Sequence, residues 1–420
     1  MDQPPIPAAA WDAAIDLRLP GRDSAAVIRT LRARAAAARY KDIGFPAAID
    51  IDYTPVLDVF RELYNNVGDA LASTPQGFAH TVELERQVVH WFADLFGLPA
   101  GDRWGYVTTG GTEANQAALL TARRRFPDAL VYFSHAAHYS IEKITDILGV
   151  ATNVVLVDED ARGEMDYGHL HQLVTRHRDR PAIVVATAGT TMCEAVDDTT
   201  RIQQILDDCG ITQRFIHVDA ALAGTALAID GLLQLGPDSP VNSVATSGHK
   251  FYGTPVSCGV VLMADSARLA RGRHVAYTAT LDTTIAGSRS GQAAVLLWHA
   301  INEYGVDGHR HRAAAARAVA EYAVHRLTMI GWPAWRHERA FTVVLATPPA
   351  AVLERGWNLS RDGARSHLIT MPGITMDQVD AFVADLAEVL ERSTVVPRQR
   401  RRPELVWRAA VNGEDSLLAQ

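Results

Sequence analysis

The run Ser247-Gly248-His249-Lys250 places an amine directly after the β-branched stretch SVATS. An amine at the end of a strand can attack a carbonyl and form an imine, which a lysine on a solvated face does not do. Most lysines are surface residues, so Lys250 taken alone would be read as one of them. Asp219 ends RFIHVD and is followed by the small Ala220 and Ala221. Its carboxylate could face a flat ring lying over a sheet, or simply cap a helix. Asp219 and Lys250 are 31 residues apart, about one strand–helix–strand excursion, so both can reach one cleft.

A third segment, Thr108-Thr109-Gly110-Gly111-Thr112-Glu113-Ala114-Asn115, joins a strand-like to a helical stretch. Glycines let backbone approach an anion, and a helix start offers unpaired N–H groups. Gly111 and Thr112 are therefore candidates for holding a phosphate, with an ordinary capped turn as the competing reading. No Gly-Lys-Ser/Thr follows and the spacing is not GxGxxG. His138 in SHAAHYS follows ALVYF and could stack on an aromatic ligand, or cap the helix after it. The remaining histidines form no HExxH, and the pairs His169/His171 and His309/His311 read as surface residues.

These segments need a scaffold, and the chain supplies a periodic one. Seven short apolar runs have strand length: 104–108, 129–133, 153–157, 182–187, 214–218, 243–247 and 259–263. Helical patterns such as TEANQAALLTARRR, SIEKITDILG and TTRIQQILDDCG alternate with several of them. Val- and Ile-rich strands alternating with helices imply a largely parallel sheet covered on both faces, with ligands at the carboxyl ends of the strands. Upstream, VELERQVVHWFADLFGL reads as an amphipathic helix, and residues 1–70 as an arm of short helices punctuated by prolines. The large domain is assigned to 71–290. Two long helices and a smaller α+β domain occupy 291–396, and 397–420 is a tail.

Composition excludes other classes. With 420 residues, 48% hydrophobic and 21% charged, the chain is an ordinary globular protein of more than one lobe. A net charge of -8 argues against nucleic acid, and Arg398 to Arg402 read as part of a solvated tail. Three cysteines without CxxC spacing imply neither a disulfide framework nor zinc. No run reaches about 18 apolar residues and the N-terminal segment lacks a signal layout, so a cytoplasmic protein without membrane spans is expected. The Asn358-Leu359-Ser360 sequon reads as accidental.

Six motifs then fall in one order: GYVTTGGTEAN, FSHAAHYSIEKI, ATAGTTMCEAVDD, IHVDAALAG, SGHKFYGTPVSCGVVL and LDTTIAGSRSG. Together they resemble the bacterial histidine decarboxylases and plant serine decarboxylases. These are group II pyridoxal-phosphate (PLP) decarboxylases of fold type I, the aspartate-aminotransferase-like α/β fold with a mostly parallel seven-stranded sheet. The resemblance runs from about Gly77 to Glu391. It implies that Lys250 is the Schiff-base lysine, that Asp219 pairs with the pyridine nitrogen, and that His138 stacks on the ring opposite Ala221. It assigns the phosphate to Gly111, Thr112, Ser247 and His249, and places Thr190 near the phenolic oxygen. It further implies a homodimer with interfacial sites, in which Ser288 reaches the neighbouring phosphate and Tyr277 matches a mobile-loop proton donor.

The chemistry so implied is loss of CO2 from an L-amino acid through a carbanion stored on the cofactor. Histidine is the first substrate expected, with serine or another small or apolar amino acid behind it. The sequence departs from the family pattern at Ala114, where a glycine often follows GGTE, and in HAAHYS, where a more polar stretch is usual. Both departures bear on substrate. The alternatives are an aminotransferase, which would clamp the α-carboxylate with an arginine such as Arg355, Arg361 or Arg365, a decarboxylation-dependent oxidative deaminase, or a catalytically dead binding protein.

Overall fold

The computed structural model describes residues 6–18, 21, 23–269 and 272–395. The tail and the basic run Arg398 to Arg402 lie outside the described residues.

Seven strands form the central sheet: β1 (Trp104–Thr108), β2 (Leu130–Ser134), β3 (Val154–Val157), β4 (Ala182–Thr187), β5 (Arg214–Asp219), β6 (Ser243–Ser247) and β7 (Gly259–Met263). Their spatial order is β1-β7-β6-β5-β4-β2-β3. All neighbours pair in parallel except β7, which runs antiparallel to both β1 and β6. β1, β2, β4, β6 and β7 are buried at every residue, as a sheet covered on both faces requires. The helix Gly111–Arg125 closes on the sheet through a face of small residues, Ala114, Ala117, Ala118 and Ala122.

A four-stranded antiparallel sheet follows, built from β8 (Ala334–Trp335), β9 (Thr342–Ala346), β10 (Ser360–Asp362) and β11 (Arg365–Ile369) in the order β8-β9-β11-β10. It packs with the helix Met376–Val395 around its own apolar cluster, which includes Val343, Leu345, Leu368, Phe382 and Leu386. The helical stretch Gly291–Met329 links the two sheets. It is broken at Gly305, whose φ of 57° and ψ of -173° separate two helices.

The arm differs from the run of short helices expected of it. Ser24–Arg39 forms one helix of 16 residues, capped where the Asp23 side chain accepts from Ala26 N. The chain then crosses between the sheets as an extended strap. Asn358 N donates to Lys41 O (3.0 Å), Ile369 N to Ile43 O (2.6 Å) and Ile49 N to Pro372 O (2.9 Å). Ala48 N donates to the backbone carbonyl of Lys250 (2.8 Å). Gly44 is glycine because a Cβ there would stand 2.5 Å from Leu359 Cα.

Candidate active site

Five loops leaving the carboxyl ends of β1, β2, β4, β5 and β6 converge on one cavity of about 320 Å3. Gly111 opens the helix after β1. A Cβ at this position would lie 2.8 Å from Ser247 Oγ and 3.4 Å from Ala221 Cβ, so the glycine keeps a cradle open between three loops. Glu113 fixes the turn, with Oε2 accepting from Thr109 N (2.8 Å) and Thr109 Oγ1 (2.7 Å). The cradle therefore combines helix-start N–H groups with the Ser247 hydroxyl, a donor set suited to a phosphate. The Thr187 hydroxyl is buried without a partner on the same wall, a further polar group available to a ligand.

Asp219 is 4% exposed at the end of β5, and its Oδ1 accepts from Ala221 N (3.2 Å). Lys250 follows β6 and lines the same cavity. Burial pushes its amine below the usual lysine range, while the charges of Asp219 and Glu194 pull it back up. A larger fraction of free amine results, the form that attacks a carbonyl. His138 stands across the cavity, its Nδ1 2.7 Å from Ser140 Oγ. Burial holds its pKa below the ordinary value, favouring a neutral ring. His249 is oriented by Nδ1, 3.1 Å from Cys258 O, and burial lowers it likewise.

Beneath the cavity, Ser243 Oγ lies 2.8 Å from His217 Nδ1, and His217 Nε2 lies 2.9 Å from Asn115 Oδ1. Burial pushes the His217 imidazole down to about 4, so it is neutral at pH 7. Asn115 lines the cavity one helical turn after Gly111.

Of the residues singled out from the sequence, Gly111, Thr112, His138, Asp219, Ala221, Ser247, His249 and Lys250 all line this one cavity. Thr190 does not. Its hydroxyl accepts from Ala195 N (3.0 Å) within its own loop, and Thr191 takes the place at the wall. Tyr277 and Ser288 line a separate cavity of about 390 Å3 with Asn65 and Phe78. Tyr277 is 90% exposed there, and Ser288 Oγ accepts from Asn65 Nδ2 (3.1 Å).

The opposite wall was not anticipated from sequence. Gly44, Phe45 and Pro46 of the strap meet Ser360, His367 and Ile369 of the small sheet across the cavity. Nothing in the run Ser366-His367-Leu368-Ile369 announces a cavity position for His367. The arginines considered as carboxylate clamps are absent from this lining. Arg355 is paired with Asp385 (2.5 Å) and Glu388 (2.8 Å), and Arg365 with Asp362 (3.6 Å).

Comparison with known proteins agrees with this geometry. Residues 64–331 match the family model described as the pyridoxal-dependent decarboxylase conserved domain. The chain is 37% identical over 347 residues to a histidine decarboxylase of Mesorhizobium japonicum, covering 82% of this chain and 92% of that protein. It is 35% identical over 355 residues to serine decarboxylase 3 of Oryza sativa subsp. japonica, covering 83% and 78%. Among solved structures, L-methionine decarboxylase from Streptomyces sp. 590 shares the fold, with a TM-score of 0.80 at 24% identity over 92% of this chain and 98% of that one. With a family model spanning more than half of its length and a relative 37% identical over 82% of it, the chain belongs to the pyridoxal-dependent decarboxylases, PLP enzymes that act as carboxy-lyases on amino acids.

Proposed function

We propose that the protein decarboxylates a neutral L-amino acid, histidine first and serine or another small or apolar amino acid next. PLP, when bound, supplies the electron sink for the charge left by departing CO2. In this reading Lys250 Nζ would hold the cofactor through its aldehyde, and Asp219 would pair with the pyridine nitrogen and keep its proton in place. His138 and Ala221 would hold the ring, Gly111, Thr112, Ser247 and His249 would hold the phosphate, and Thr191 rather than Thr190 would serve the phenolic oxygen. The observation that carries the proposal is the shared lining: amine, carboxylate and imidazole from three strand ends meet in one cavity.

The side-chain end of that cavity supports a neutral substrate. Phe45, Pro46, Leu222 and Ile369 give it apolar surface, Ser360 and His367 give it polar atoms, and Lys250 is the only lysine or arginine among the lining residues. A second substrate carboxylate would find no dedicated cation there. The absence of an arginine from the lining likewise favours decarboxylation over transamination.

Tyr277 and Ser288 lie outside the cavity of their own subunit, and we place them in the partner's site across a homodimer. Leu57, Phe60 and Leu63, exposed at 45%, 47% and 81%, offer apolar surface for such an interface. No helix among the described residues is long and apolar enough to cross a membrane, and a cytoplasmic location is part of the proposal.

An amino-acid panel assayed for CO2 and amine tests the function, with Lys250→Ala as the blank. Activity retained by that variant, or a keto acid in place of an amine, would reject the reading.

A further inference from the structure

Glu194 departs from its surroundings in three respects. Its φ is 54°, the left-handed region that costs a non-glycine residue about 1 kcal/mol or more. Its side chain is 1% exposed. One oxygen also carries all of its hydrogen bonds. Oε2 accepts from Phe341 N (3.0 Å), Thr342 N (2.8 Å) and Thr342 Oγ1 (2.5 Å), while Oε1 is buried without a partner. Each feature opposes folding, and a glycine would make the same turn without strain.

The partners of Oε2 indicate what this arrangement achieves. Thr342 begins β9 directly opposite Ile369 on β11, and Val344 stands opposite His367. Ile369 and His367 are the small-sheet wall of the cavity, and Thr191, three residues before Glu194, is on the facing wall. Met192 O lies 3.2 Å from His367 Nδ1, so the two walls touch between these points. The loop itself is stiff, since Glu194 N donates to Thr190 O (2.8 Å) and Asp197 N to Thr187 O (2.9 Å).

We propose that Glu194 is a positioning residue for substrate: its carboxyl latches β9 onto the loop after β4 and so fixes the distance between Thr191 and the His367–Ile369 wall. The inference rests on reading this cavity as the substrate site. The strain at φ 54° is the consequence of aiming a carboxylate backwards, out of the loop and into the small sheet. Three donors on one oxygen give the latch a single point of failure.

Two variants separate a latch from filled space. Glu194→Gln keeps an oxygen for the three donors, and Glu194→Ala removes it. On the cofactor-loaded protein, hydrogen exchange at the Phe341 and Thr342 amides should accelerate at least about tenfold in the alanine variant and stay within about threefold in the glutamine variant. Unchanged protection in Glu194→Ala overturns the latch. The methyl esters of L-histidine, L-methionine and L-serine cannot release CO2, and their binding is read from the cofactor's visible band. Any ester bound by the parent should bind about tenfold more weakly to Glu194→Ala, with the cofactor retained. Equal ester affinity overturns the positioning role. If Glu194→Ala does not fold, Glu194→Asp, one methylene shorter, is read in the same way. Failure of the proposed function looks different: the parent would then keep its visible band and bind none of the three esters, while the exchange rates still decide the latch.

Discussion

One wall of the cavity is supplied by five loops that each leave the carboxyl end of a strand of the large sheet, whereas the other is assembled from the arm and the small sheet. On the first wall, position follows from topology. Strands about 4.8 Å apart deliver their C-terminal residues to one edge, so Gly111, His138, Asp219 and Lys250 converge although 139 residues separate the first from the last. On the second wall no such lattice exists. Phe45 is held because Ile43, Ala48 and Ile49 are pinned by hydrogen bonds on either side of it, and the residue remains 53% exposed. The first wall suits a ligand that never changes. The second suits one that differs between relatives.

If that division is right, changes on the large-sheet wall should affect every substrate alike. Asp219→Ala should lower turnover about a thousandfold or more for any amino acid processed, since each pKa unit lost at the ring nitrogen is worth about 1.4 kcal/mol. Steady-state rates with unchanged thermal unfolding check this, and a variant as fast as the parent rejects the pyridine role. Gly111→Ala puts a methyl group 2.8 Å from Ser247 Oγ. It should weaken PLP retention about tenfold, measured by dialysis and reconstitution, while leaving the order of preferred substrates intact.

Changes on the other wall should alter ratios. Phe45→Ala is expected to shift the kcat/KM ratio of a large over a small side chain by about tenfold, with the cofactor's absorbance unmoved. A uniform loss across the panel would erase the distinction between the walls. The last prediction concerns stability and belongs to neither wall. His217 has its folded pKa depressed from 6.5 to about 4, so its neutral form contributes stability that is complete above about pH 6.5 and lost as pH falls through 4. The gap corresponds to about 3 kcal/mol at 1.4 kcal/mol per unit. Urea unfolding should show that decline, and His217→Gln should flatten it. A parent slope unchanged by the substitution would place the acid sensitivity elsewhere.

The same division explains what was legible in the sequence. The runs read as strands are the seven strands of the sheet, shifted by a residue at places such as β2 and β5, because fully buried parallel strands leave dense Val and Ile runs. Motifs that occupy one loop each could be read as sites, since the chain order inside a loop is its spatial order. Thr190 shows the limit of that reading: two adjacent threonines in Gly189-Thr190-Thr191 differ only in which hydroxyl turns back to Ala195 N. Phe45, Ser360 and His367 were not legible, because their relation exists only through packing between segments more than 300 residues apart. The helix Ser24–Arg39 was underestimated because the prolines flanking it dominate the local pattern.

The strap places Ile43 and Ile49 in hydrogen bonds with Ile369 and Pro372, and Ala48 against the carbonyl of Lys250. During synthesis on a ribosome, residues near 45 emerge hundreds of positions before their partners. A growing chain can therefore lay down its large sheet and the five loops that leave it while the cavity is still missing a side. Premature termination anywhere before about residue 372 would leave that compartment open to water, however well the rest had folded.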